Sequence, residues 1–411
     1  MTAGSRGDVA PFTGLGHALV RAGHEVTLVT HERFAPLVAG SGVGFHALPV
    51  DPRAELESEQ GRGLHRSSTG PGKLLRVARM ARTLVGQMTD DLVSAAREAD
   101  ALLLAASVAP LGHTIAAGLS LPSLGLALQP VAPTREFAPP LLGGGSWGAV
   151  GNRLAGHGVE AAVEQIFAPV LPAVRARLGL PAVRRPVAGL RARERRGRPV
   201  LHGFSPLVVP RPRDWRAELG VTGYWWPYDR ESRLPPALRE FLDAGPPPVF
   251  VGLGSATVPD PRRLSAEVVR ALRRAGLRGV IQRGWAGLAA DGDDMLTVDD
   301  VPHSLLFPET AAVVHHCGAG TTAAGVRAGV PAVPVPIQFD EGFWADRLVA
   351  LGVAPASVPL RRLTADTLAD ALARVTRETE FAWRAQELGV RVREEDGTAP
   401  VVEVVGRLAE R

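Results

Sequence analysis

The residues best suited to chemistry lie at positions 315–322, which read His-His-Cys-Gly-Ala-Gly-Thr-Thr. The apolar run 311–314 comes directly before them and predicts a buried strand. Gly318 and Gly320 predict a turn after that strand, and the small residues at 321–329 predict the first turns of a helix. The segment is therefore expected to be a strand that passes through a glycine turn into a helix.

The start of such a helix can bind an anion. Its first backbone N–H groups have no partner within the helix, and the positive end of the helix dipole points the same way. Small side chains in the turn let a ligand approach the backbone closely. We therefore expect a phosphate or diphosphate to bind there without a metal, with His316 and Thr321 as further donors. The residues of this helix start are Gly318, Ala319, Gly320 and Thr321. A turn that serves packing alone is the alternative interpretation.

Two carboxylates follow one βαβ unit later. A strand predicted over 332–337 leads into Gln338, Phe339, Asp340 and Glu341, which open another helix. The carboxyl ends of neighbouring parallel strands meet at one edge of a sheet, so Asp340 and Glu341 should lie beside the anion site. Carboxylates at that position suit hydrogen bonds to sugar hydroxyls. Capping of the helix start is the alternative role for both residues.

Nine segments, taken together and in order, carry a resemblance to known proteins. They are GSRGDVAP (4–11), LQPVAPTREF (128–137), GFSPLVVPRPRDW (203–215), VTGYWW (221–226), VFVGLGS (249–255), IQRGWAGL (281–288), DVPHSLLFP (300–308), HHCGAGTTAAGVRAGVP (315–331) and QFDEGFW (338–344). They resemble the motifs of family 1 glycosyltransferases, in the branch of bacterial antibiotic glycosyltransferases and sterol glucosyltransferases. The resemblance covers almost the whole chain and implies the α/β GT-B fold, in which two Rossmann-like parallel-sheet domains face a cleft. It also implies an inverting, metal-independent transfer of a sugar from a UDP- or TDP-sugar to a hydroxyl of a lipophilic acceptor, with no cofactor besides that co-substrate.

The resemblance extends the donor site to other loops. It places a donor contact at Ser255, and it places the reading of the nucleobase, largely through backbone groups, at Val301 and His303. Arg283 and Trp285 follow a predicted strand and complete the expected donor site. The indole ring of Trp285 could stack on the base, or it could form a wall of the pocket.

Glu341 departs from the pattern, because the branch commonly has Gln after the Asp at this position. An amide both donates and accepts hydrogen bonds, whereas an ionised carboxylate only accepts them. We therefore expect a changed sugar preference, such as a deoxy sugar, an amino sugar or a pseudo-sugar in place of glucose.

Asp8 is the candidate general base, because the antibiotic branch has its candidate base at this position of the motif. It lies in a glycine turn before a helix predicted over 11–22, at the rim of the cleft. Only residues 1–3 precede the motif, where the family has a full apolar strand, so either the start codon is misassigned or the first strand is a stub. Removal of the acceptor's hydroxyl proton is worth about 10²–10⁴ in rate, and burial against an apolar acceptor would raise the pKa of Asp8. A helix cap is the alternative role for Asp8. His17 is an alternative base, although a packed histidine explains it better.

The acceptor is expected to be lipophilic. The segment 130–158 is rich in Pro and Gly, and the fold would place its Phe137 and Trp147 at the mouth of the cleft. We assign acceptor contacts to Gln129, Phe137 and Trp147, with a loop folded over its own small core as the alternative. The Arg-rich segment 184–198 is either a solvated loop or a surface for anionic lipid headgroups, so peripheral membrane contact is possible.

Apolar runs alternate with helical segments along the chain, as expected for βαβ units with right-handed crossovers. Strands are predicted over 25–30, 43–50, 101–106, 122–129, 248–253 and 279–282, and helices over 73–100 and 159–178. The predicted division is an acceptor domain over 1–226, a linker over 227–236, a nucleotide-sugar domain over 237–398 and a C-terminal helix over 399–411 that returns toward the first domain.

Composition narrows the class of protein. A chain of 411 residues with 45% hydrophobic residues suits two globular domains. The pI is near 10.0 because Arg does not titrate, but the net charge is only +4, so nucleic-acid binding is not expected. The single cysteine, Cys317, excludes an internal disulfide and suits a reducing cytoplasm. No leader is recognisable, and the longest apolar run, 99–110, is shorter than the roughly 20 residues of a membrane span. We therefore expect a cytoplasmic protein. One lysine among many arginines suggests a GC-rich, actinobacterial genome.

Two other classes of protein share part of this pattern. An NAD-dependent oxidoreductase would also use two βαβ domains, but the first glycine turn lacks Gly-x-Gly-x-x-Gly. A non-catalytic helper protein of a glycosyltransferase would keep the fold without the activity. No metal is expected, because 291–293 is predicted to be a surface turn and consecutive strand residues such as His315, His316 and Cys317 point to opposite faces.

Overall fold

The computed structural model describes residues 1–50, 71–182, 197–229 and 233–409, without the side chains of 71–83 and 409. Within these ranges the chain forms two α/β halves, and each half is built on parallel strands that alternate with helices. The boundary between the halves falls after the strand Leu219–Val221 and before the helix that starts at Pro236, which is the last residue of the predicted linker.

The N-terminal half carries the first set of elements. Its strands are β1 (Thr27–His31), β2 (Gly44–Leu48), β3 (Leu102–Ala105), β4 (Ser123–Ala127), β5 (Val200–His202) and β6 (Leu219–Val221). Its helices are α1 (Arg6–Arg21), α2 (Ala35–Val38), α3 (Pro71–Ala96), α4 (Ala109–Gly118), α5 (Gly148–Phe167) and α6 (Leu171–Arg177), with 3-10 turns at Glu32–Phe34 and Pro140–Leu142.

The C-terminal half carries the second set. Its strands are β7 (Val249–Gly252), β8 (Gly279–Gln282), β9 (Met295–Val298), β10 (Ala312–His315) and β11 (Ala332–Pro334). Its helices are α7 (Pro236–Asp243), α8 (Pro261–Ala275), α9 (His303–Leu306), α10 (Ala319–Ala328), α11 (Glu341–Ala350), α12 (Ala365–Arg377), α13 (Thr379–Arg393) and α14 (Ala399–Ala409), with 3-10 turns at Phe307–Glu309 and Leu360–Arg362.

All the paired strands run parallel. The C-terminal sheet has the order β11-β10-β7-β8-β9, and the N-terminal half has β3-β4-β5-β6 and a separate pair, β1-β2. The first three residues join these two groups: the Thr2 N–H donates to Val29 O at 3.0 Å, and the Ala105 N–H donates to Met1 O at 3.0 Å. Residues 1–3 thus lie between β1 and β3 and hydrogen-bond to both.

Helix α1 begins at Arg6, five residues before the predicted start at 11. The physical reason is a capping box, in which Ser5 is the N-cap and Asp8, at the third helical position, accepts from the Ser5 N–H at 2.8 Å. Pro11 lies inside the helix, so it does not mark the start. Asp8 consequently sits in the first turn of a helix and not in a preceding loop.

The predicted Pro/Gly-rich loop over 130–158 ends at Trp147, because α5 begins at Gly148. Several glycines in the first turns of α5 hide its helical pattern in the sequence. The single helix predicted over 159–178 is wrong as well: it is the second part of α5 followed by α6, with a break at 168–170.

Helix α14 packs on the N-terminal half. Val401 and Val405 belong to the same buried cluster as Val9, Phe12 and Trp225. The Trp225 indole N–H also donates to Gly397 O at 2.8 Å, just before α14. The predicted return of the C-terminal helix is therefore present as far as residue 409. Among the described residues, no helix is long and apolar enough to span a membrane.

Candidate active site

A cleft of about 2420 Å³ lies between the two halves and takes its walls from both. Nearly all the residues predicted from the sequence to bind or react line it: Asp8, Gln129, Phe137, Ser255, Arg283, Trp285, Val301, His303, His316, Gly318, Ala319, Gly320, Thr321, Asp340 and Glu341. Trp147 is the exception. The fold therefore brings loops that are distant in sequence to one cavity.

The predicted anion site is a helix start without a side-chain cap. Gly318 is the N-cap residue of α10, and no side chain accepts a hydrogen bond from the first turn. The turn is reached through Cys317, whose φ of 68° is in the left-handed region that an L-residue rarely adopts. The Cys317 N–H donates to Nδ1 of His315 at 3.1 Å, and both side chains are buried. These inward contacts leave the backbone N–H groups of the helix start facing the cleft.

His316 faces the cleft between two glycines. A Cβ on Gly318 would lie 2.5 Å from His316 Nε2, and a Cβ on Gly254 would lie 2.6 Å from His316 Cε1. Burial lowers the pKa of His316 to about 4, so its ring is neutral at pH 7. A neutral imidazole donates one hydrogen bond. Nδ1 of His316 is buried and has no protein partner, while the residue as a whole lines the cleft.

Histidine and cysteine do not converge on an ion here. His315 and Cys317 point into the core, whereas His316 points into the cleft. Across the part of the chain that the structure describes, no group of three or more His, Cys, Asp or Glu could hold a metal.

The region predicted to bind the nucleobase of the donor holds several aromatic rings. The guanidinium of Arg33, from the N-terminal half, lies 5.2 Å from the ring centroid of Trp285. His303 stacks on Phe307 at 4.3 Å, and burial lowers the pKa of His303 to about 3. Arg283, which is exposed, donates to Asp299 at 3.0 Å. The face of Trp285 thus meets a residue of the opposite half, which the sequence alone did not predict.

Asp340 and Glu341 form the start of α11 and differ in their contacts. Asp340 accepts a hydrogen bond from the Trp344 indole N–H at 2.9 Å, and burial raises its pKa. Oε2 of Glu341 accepts from the backbone N–H groups of Ile337 and Gln338 at 2.6 and 2.7 Å. Glu341 is 7% exposed, and burial raises its pKa to about 7. One carboxylate oxygen of Glu341 therefore holds the turn between β11 and α11 while the residue also lines the cleft.

Asp8 enters the cleft from the opposite half. Its Oδ2 accepts from the Ser5 N–H at 2.8 Å and from the Ser5 hydroxyl at 3.0 Å, and burial raises its pKa. Gly4 has a φ of 144°, and a Cβ there would overlap the Asp8 carboxylate, so this position requires glycine. Asp8 and Asp340 line the cleft from opposite halves, and burial, with a smaller contribution from the charge of Asp8, raises the pKa of Asp340.

His17, the alternative base, lies outside the residues that line the cleft. Its Nδ1 contacts Ser41 O at 2.7 Å, and its ring packs against Tyr228 with the centroids 4.8 Å apart. These contacts are those of a packed histidine.

Of the three residues predicted to contact the acceptor, Gln129 and Phe137 line the cleft and Trp147 does not. Gln129 lines the cleft and its Oε1 is buried without a protein partner, whereas the Phe137 ring packs against Phe343 of the other half at 5.2 Å. Trp147, the third predicted acceptor residue, is not among the residues that line the cleft, and its side chain is 59% exposed. Its backbone N–H donates to Asn152 at 2.8 Å at the start of α5. Most of the Arg-rich run, 184–196, lies outside the described residues.

An ion pair that the sequence analysis missed also bridges the cleft. Arg6 of the N-terminal half donates to Asp300 of the C-terminal half, and both side chains are about half exposed. Both residues lie within motifs that carried the resemblance, so the motifs themselves were the available signal.

Comparison with known proteins gives the following similarities. A model of the glycosyltransferase family 28 N-terminal domain matches residues 1–136, and a model of the erythromycin biosynthesis protein CIII-like C-terminal domain matches residues 280–410. The O-mycaminosyltylonolide 6-deoxyallosyltransferase of Streptomyces fradiae is 36% identical over 100% of this chain and 97% of its own length. A sterol 3-beta-glucosyltransferase of Arabidopsis thaliana is 33% identical over 97% of this chain, but the chain spans only 63% of that relative's length.

Solved structures show the same fold. The glycosyltransferase of kitacinnamycin superposes with a TM-score of 0.70 at 20% identity, over 99% of this chain and 97% of its own. A Streptomyces sp. SF2575 glycosyltransferase, complexed with thymidine diphosphate, gives a TM-score of 0.66 at 22% identity, over 99% and 98% of the two chains.

Proposed function

The chain belongs to the nucleotide-sugar-dependent glycosyltransferases of the GT-B fold, and from this premise we propose that it moves a sugar from a UDP- or TDP-sugar to a hydroxyl group of a lipophilic acceptor. The transfer inverts the anomeric carbon and needs no metal. One observation carries the proposal: the uncapped helix start at Gly318 in one half and the carboxylate of Asp8, whose pKa is raised by desolvation, in the other half line the same cleft.

The C-terminal half binds the donor. The diphosphate accepts hydrogen bonds from the backbone N–H groups at the start of α10 and from the neutral ring of His316, where the helix dipole favours negative charge. Asp340 contacts hydroxyls of the sugar, and Trp285 lies beside the nucleobase. The thymidine diphosphate in a solved structure of the same fold supports a TDP-sugar as one of the two donor classes.

The N-terminal half binds the acceptor and supplies the base. The hydroxyl oxygen attacks the anomeric carbon from the face opposite the nucleotide, and Asp8 takes the hydroxyl proton. The bond between the anomeric carbon and the diphosphate oxygen breaks, and the nucleoside diphosphate leaves with its charge held at the helix start. Burial, which raises the pKa of Asp8, makes it a stronger base than an exposed aspartate.

The acceptor is a natural-product aglycone or a sterol-like molecule. Two relatives support this class, because one is named for its action on O-mycaminosyltylonolide and the other for its action on sterols. Gln129 and Phe137 provide one polar and one apolar contact in the cleft. The proposed setting is antibiotic biosynthesis in the cytoplasm of an actinobacterium, which the arginine-rich composition and the single buried thiol of Cys317 support.

Glu341 tunes the choice of sugar. Its Oε2 is committed to the backbone of the β11–α11 turn, so only Oε1 remains for a ligand. Because its pKa is about 7, Glu341 is mostly ionised only above neutral pH, where Oε1 accepts hydrogen bonds but cannot donate them. A donor that presents a hydrogen-bond donor at this point, such as an amino sugar, gains over one that presents an acceptor. Comparing transfer rates from several donors for the natural chain and Glu341→Gln tests this: an unchanged order of donors contradicts it.

The test of the proposed function is a transfer assay. The purified chain is incubated with UDP- and TDP-sugars, including deoxy and amino sugars, and with a panel of macrolide, polyketide and sterol aglycones, with and without EDTA. Mass spectrometry should detect an aglycone heavier by one sugar residue, and EDTA should not change the yield. Donor binding without hydrolysis or transfer to any aglycone would instead favour the non-catalytic helper, and binding of nicotinamide dinucleotide without UDP or TDP would favour the oxidoreductase.

A further inference from the structure

The turn between β11 and α11 contains a phenylalanine in a strained conformation. Phe339 has a φ of 52°, in the left-handed region that a bulky L-residue rarely adopts. Among the described residues, three that are not glycine have a positive φ, and two of them, Cys317 and Phe339, lie in turns of the proposed donor site. Strained residues of this kind cluster at functional sites, and glycine would adopt the same φ without strain. The contacts of the phenyl ring therefore have to explain why this position is not glycine.

Hydrogen bonds within the turn fix the backbone of Phe339. Oε2 of Glu341 accepts from the N–H groups of Ile337 and Gln338 at 2.6 and 2.7 Å. The Glu341 N–H donates in return to Gln338 O at 3.3 Å. None of these hydrogen bonds involves the ring of Phe339. The residues around it hold the turn, so the ring is free to serve another purpose.

The phenyl ring of Phe339 is not held in the protein core. It is 45% exposed, and it belongs to none of the hydrophobic clusters that the described residues form. It lines the cleft, as do Gln338 before it and Asp340 after it. Packing within the described structure therefore does not explain the ring, which is exposed to the space that the proposed substrates occupy.

The helix that follows this turn also contacts the acceptor side of the cleft. The ring of Phe343 on α11 packs against Phe137 of the N-terminal half, with the centroids 5.2 Å apart. Phe137 lines the cleft and is one of the residues predicted to contact the acceptor. The turn and the helix after Phe339 thus carry both Asp340, which is proposed to bind the sugar, and a contact with the acceptor half.

We propose that Phe339 is a specificity-determining residue for the acceptor, supplied by the donor half: an apolar face of the acceptor packs on its ring and keeps water away from the sugar. This inference rests on the proposed function for the identity of the two substrates. Covering an exposed phenyl ring with an apolar ligand removes apolar surface from water and so stabilises the complex. A hydrophilic acceptor gains nothing from this contact.

Water competes with the acceptor for the anomeric carbon. When water takes the place of the acceptor, its oxygen forms the bond to the anomeric carbon, Asp8 takes one of its protons, and the nucleoside diphosphate leaves. The products are then the free sugar and the nucleotide. An apolar acceptor seated on Phe339 excludes water from this position. The ring should therefore lower the ratio of donor hydrolysis to transfer.

The test compares variants that keep the backbone conformation of the turn. Phe339→Asn replaces the ring with a polar side chain that tolerates a positive φ, and Phe339→Leu keeps an apolar side chain. The matched control is Trp383→Asn, which removes an aromatic side chain that is 61% exposed on α13 and does not line the cleft. Calorimetry with the aglycone panel, in the presence of UDP or TDP, gives the acceptor affinity. Chromatography of the free sugar and the glycoside gives the ratio of hydrolysis to transfer.

Phe339→Asn should bind the aglycone roughly tenfold less tightly and raise the ratio of hydrolysis to transfer by about the same factor. Its affinity for UDP or TDP and its melting temperature should stay those of the natural chain. Phe339→Leu should recover most of both effects, and Trp383→Asn should match the natural chain. Equal acceptor affinity and an equal ratio in Phe339→Asn would overturn the proposal. A lower melting temperature together with weaker nucleotide binding would also overturn it, because the ring would then support the turn.

The same measurements separate this inference from the proposed function. Weaker aglycone binding by Phe339→Asn, without transfer by any of the proteins, contradicts the proposed function and supports the acceptor contact. Transfer by the natural chain, with unchanged acceptor affinity and ratio in Phe339→Asn, supports the proposed function and contradicts the acceptor contact. Aglycones that bind to none of the proteins contradict both.

Discussion

At the scale of single residues, the chemistry depends on two carboxylates that line the cleft, Asp8 and Glu341. Asp8 keeps one oxygen in the capping box of α1, and burial raises its pKa. Glu341 keeps one oxygen on two backbone N–H groups, and burial raises its pKa to about 7. Both residues were identifiable in the sequence, and helix capping was the alternative role predicted for each, which their hydrogen bonds to nearby backbone N–H groups now show. The particular partners were not predictable, because they are set by how each turn folds back on itself.

Replacing the base should separate catalysis from binding. We expect Asp8→Asn to lower the transfer rate by about 10²–10⁴, because proton removal is lost, while the affinity for the nucleotide stays within about twofold. The amide keeps an oxygen that can accept from Ser5, so the capping box should persist. In the natural chain the rate should fall as the pH drops through the raised pKa of Asp8, and this limb should be absent from the residual activity of the variant. Rates of transfer and nucleotide titrations across pH check this prediction, and a variant with near-natural transfer would remove Asp8 from the mechanism.

Glu341 should make stability depend on pH. Its pKa is 4.5 in its ordinary state and about 7 in the folded chain, so the folded state holds the proton more tightly than the unfolded state. The stability from this residue is therefore complete below pH 4.5 and is lost as the pH rises to about 7. Gln does not titrate, so Glu341→Gln should not lose this stability as the pH rises. The free energy of unfolding of the variant, minus that of the natural chain, should therefore increase from pH 5 to pH 8 by an amount on the order of 1–3 kcal/mol. Urea unfolding of both proteins at the two pH values measures the difference, and a difference that is the same at both would contradict the raised pKa.

At the scale of elements, the donor site is formed by a strand, a turn and a helix, and glycines in the adjoining turns leave room for the ring of His316. The ring of His316 fits between Gly254 and Gly318, where any Cβ would press on it. Gly318 has a φ of −59° and a ψ of 144°, which alanine adopts without strain, so its role is steric and not conformational.

A methyl group at Gly318 should therefore displace His316 and weaken donor binding. We expect Gly318→Ala to lower the affinity for UDP or TDP by roughly 10- to 100-fold, since one hydrogen bond to a charged group is worth about 1.5–3 kcal/mol. Gly325→Ala is the matched control on the same helix, because its Cβ would lie 3.4 Å from Val313, an ordinary contact. Calorimetric titration of both variants gives the answer; equal affinities would show that His316 does not contact the diphosphate.

The positions of several strands were predicted from the sequence more accurately than the first residues of the helices. Apolar runs mark β7, β8 and β10 because parallel strands are buried on both faces. Pro11 and the glycines around Asp8 resemble a turn, so the start of α1 was placed five residues too late. Glycines also conceal the start of α5, and β9 was missed because it is short and partly exposed. At both helix starts the deciding contacts are local: the capping box of Ser5 and Asp8 at α1, and the hydrogen bond from the Trp147 N–H to Asn152 at α5.

At the scale of the whole molecule, the two halves touch at several points around the cleft. The Gly145 N–H donates to Asp346 at 2.9 Å, and the guanidinium of Arg327 lies 4.3 Å from the ring centroid of Trp226. The ion pair between Arg6 and Asp300 is half exposed and should contribute only about 0–1 kcal/mol to their association. Sequence motifs predicted the cleft but not these contacts, because each needs residues that the fold alone brings together.

The contact at Gly144 offers a way to loosen the halves. A Cβ there would overlap the Asp346 carboxylate and lie 2.9 Å from Gly342 O on α11. We expect Gly144→Ala to push the loop away from α11, which should increase the radius of gyration and lower the transfer rate by roughly tenfold, while donor affinity is kept. Gly158→Ala, where a Cβ meets nothing within 4 Å, is the control. Small-angle X-ray scattering and transfer rates test this, and an unchanged rate in a visibly expanded molecule would contradict the need for close halves.

The proposed mechanism depends most on the start of α10 binding the diphosphate of the donor. A crystal structure of the chain with UDP or TDP tests it most directly. The account predicts phosphate oxygens within hydrogen-bonding distance of the backbone N–H groups of Ala319, Gly320 and Thr321, with the ring of His316 beside them. A nucleotide bound elsewhere in the cleft, with this helix start empty, would contradict it.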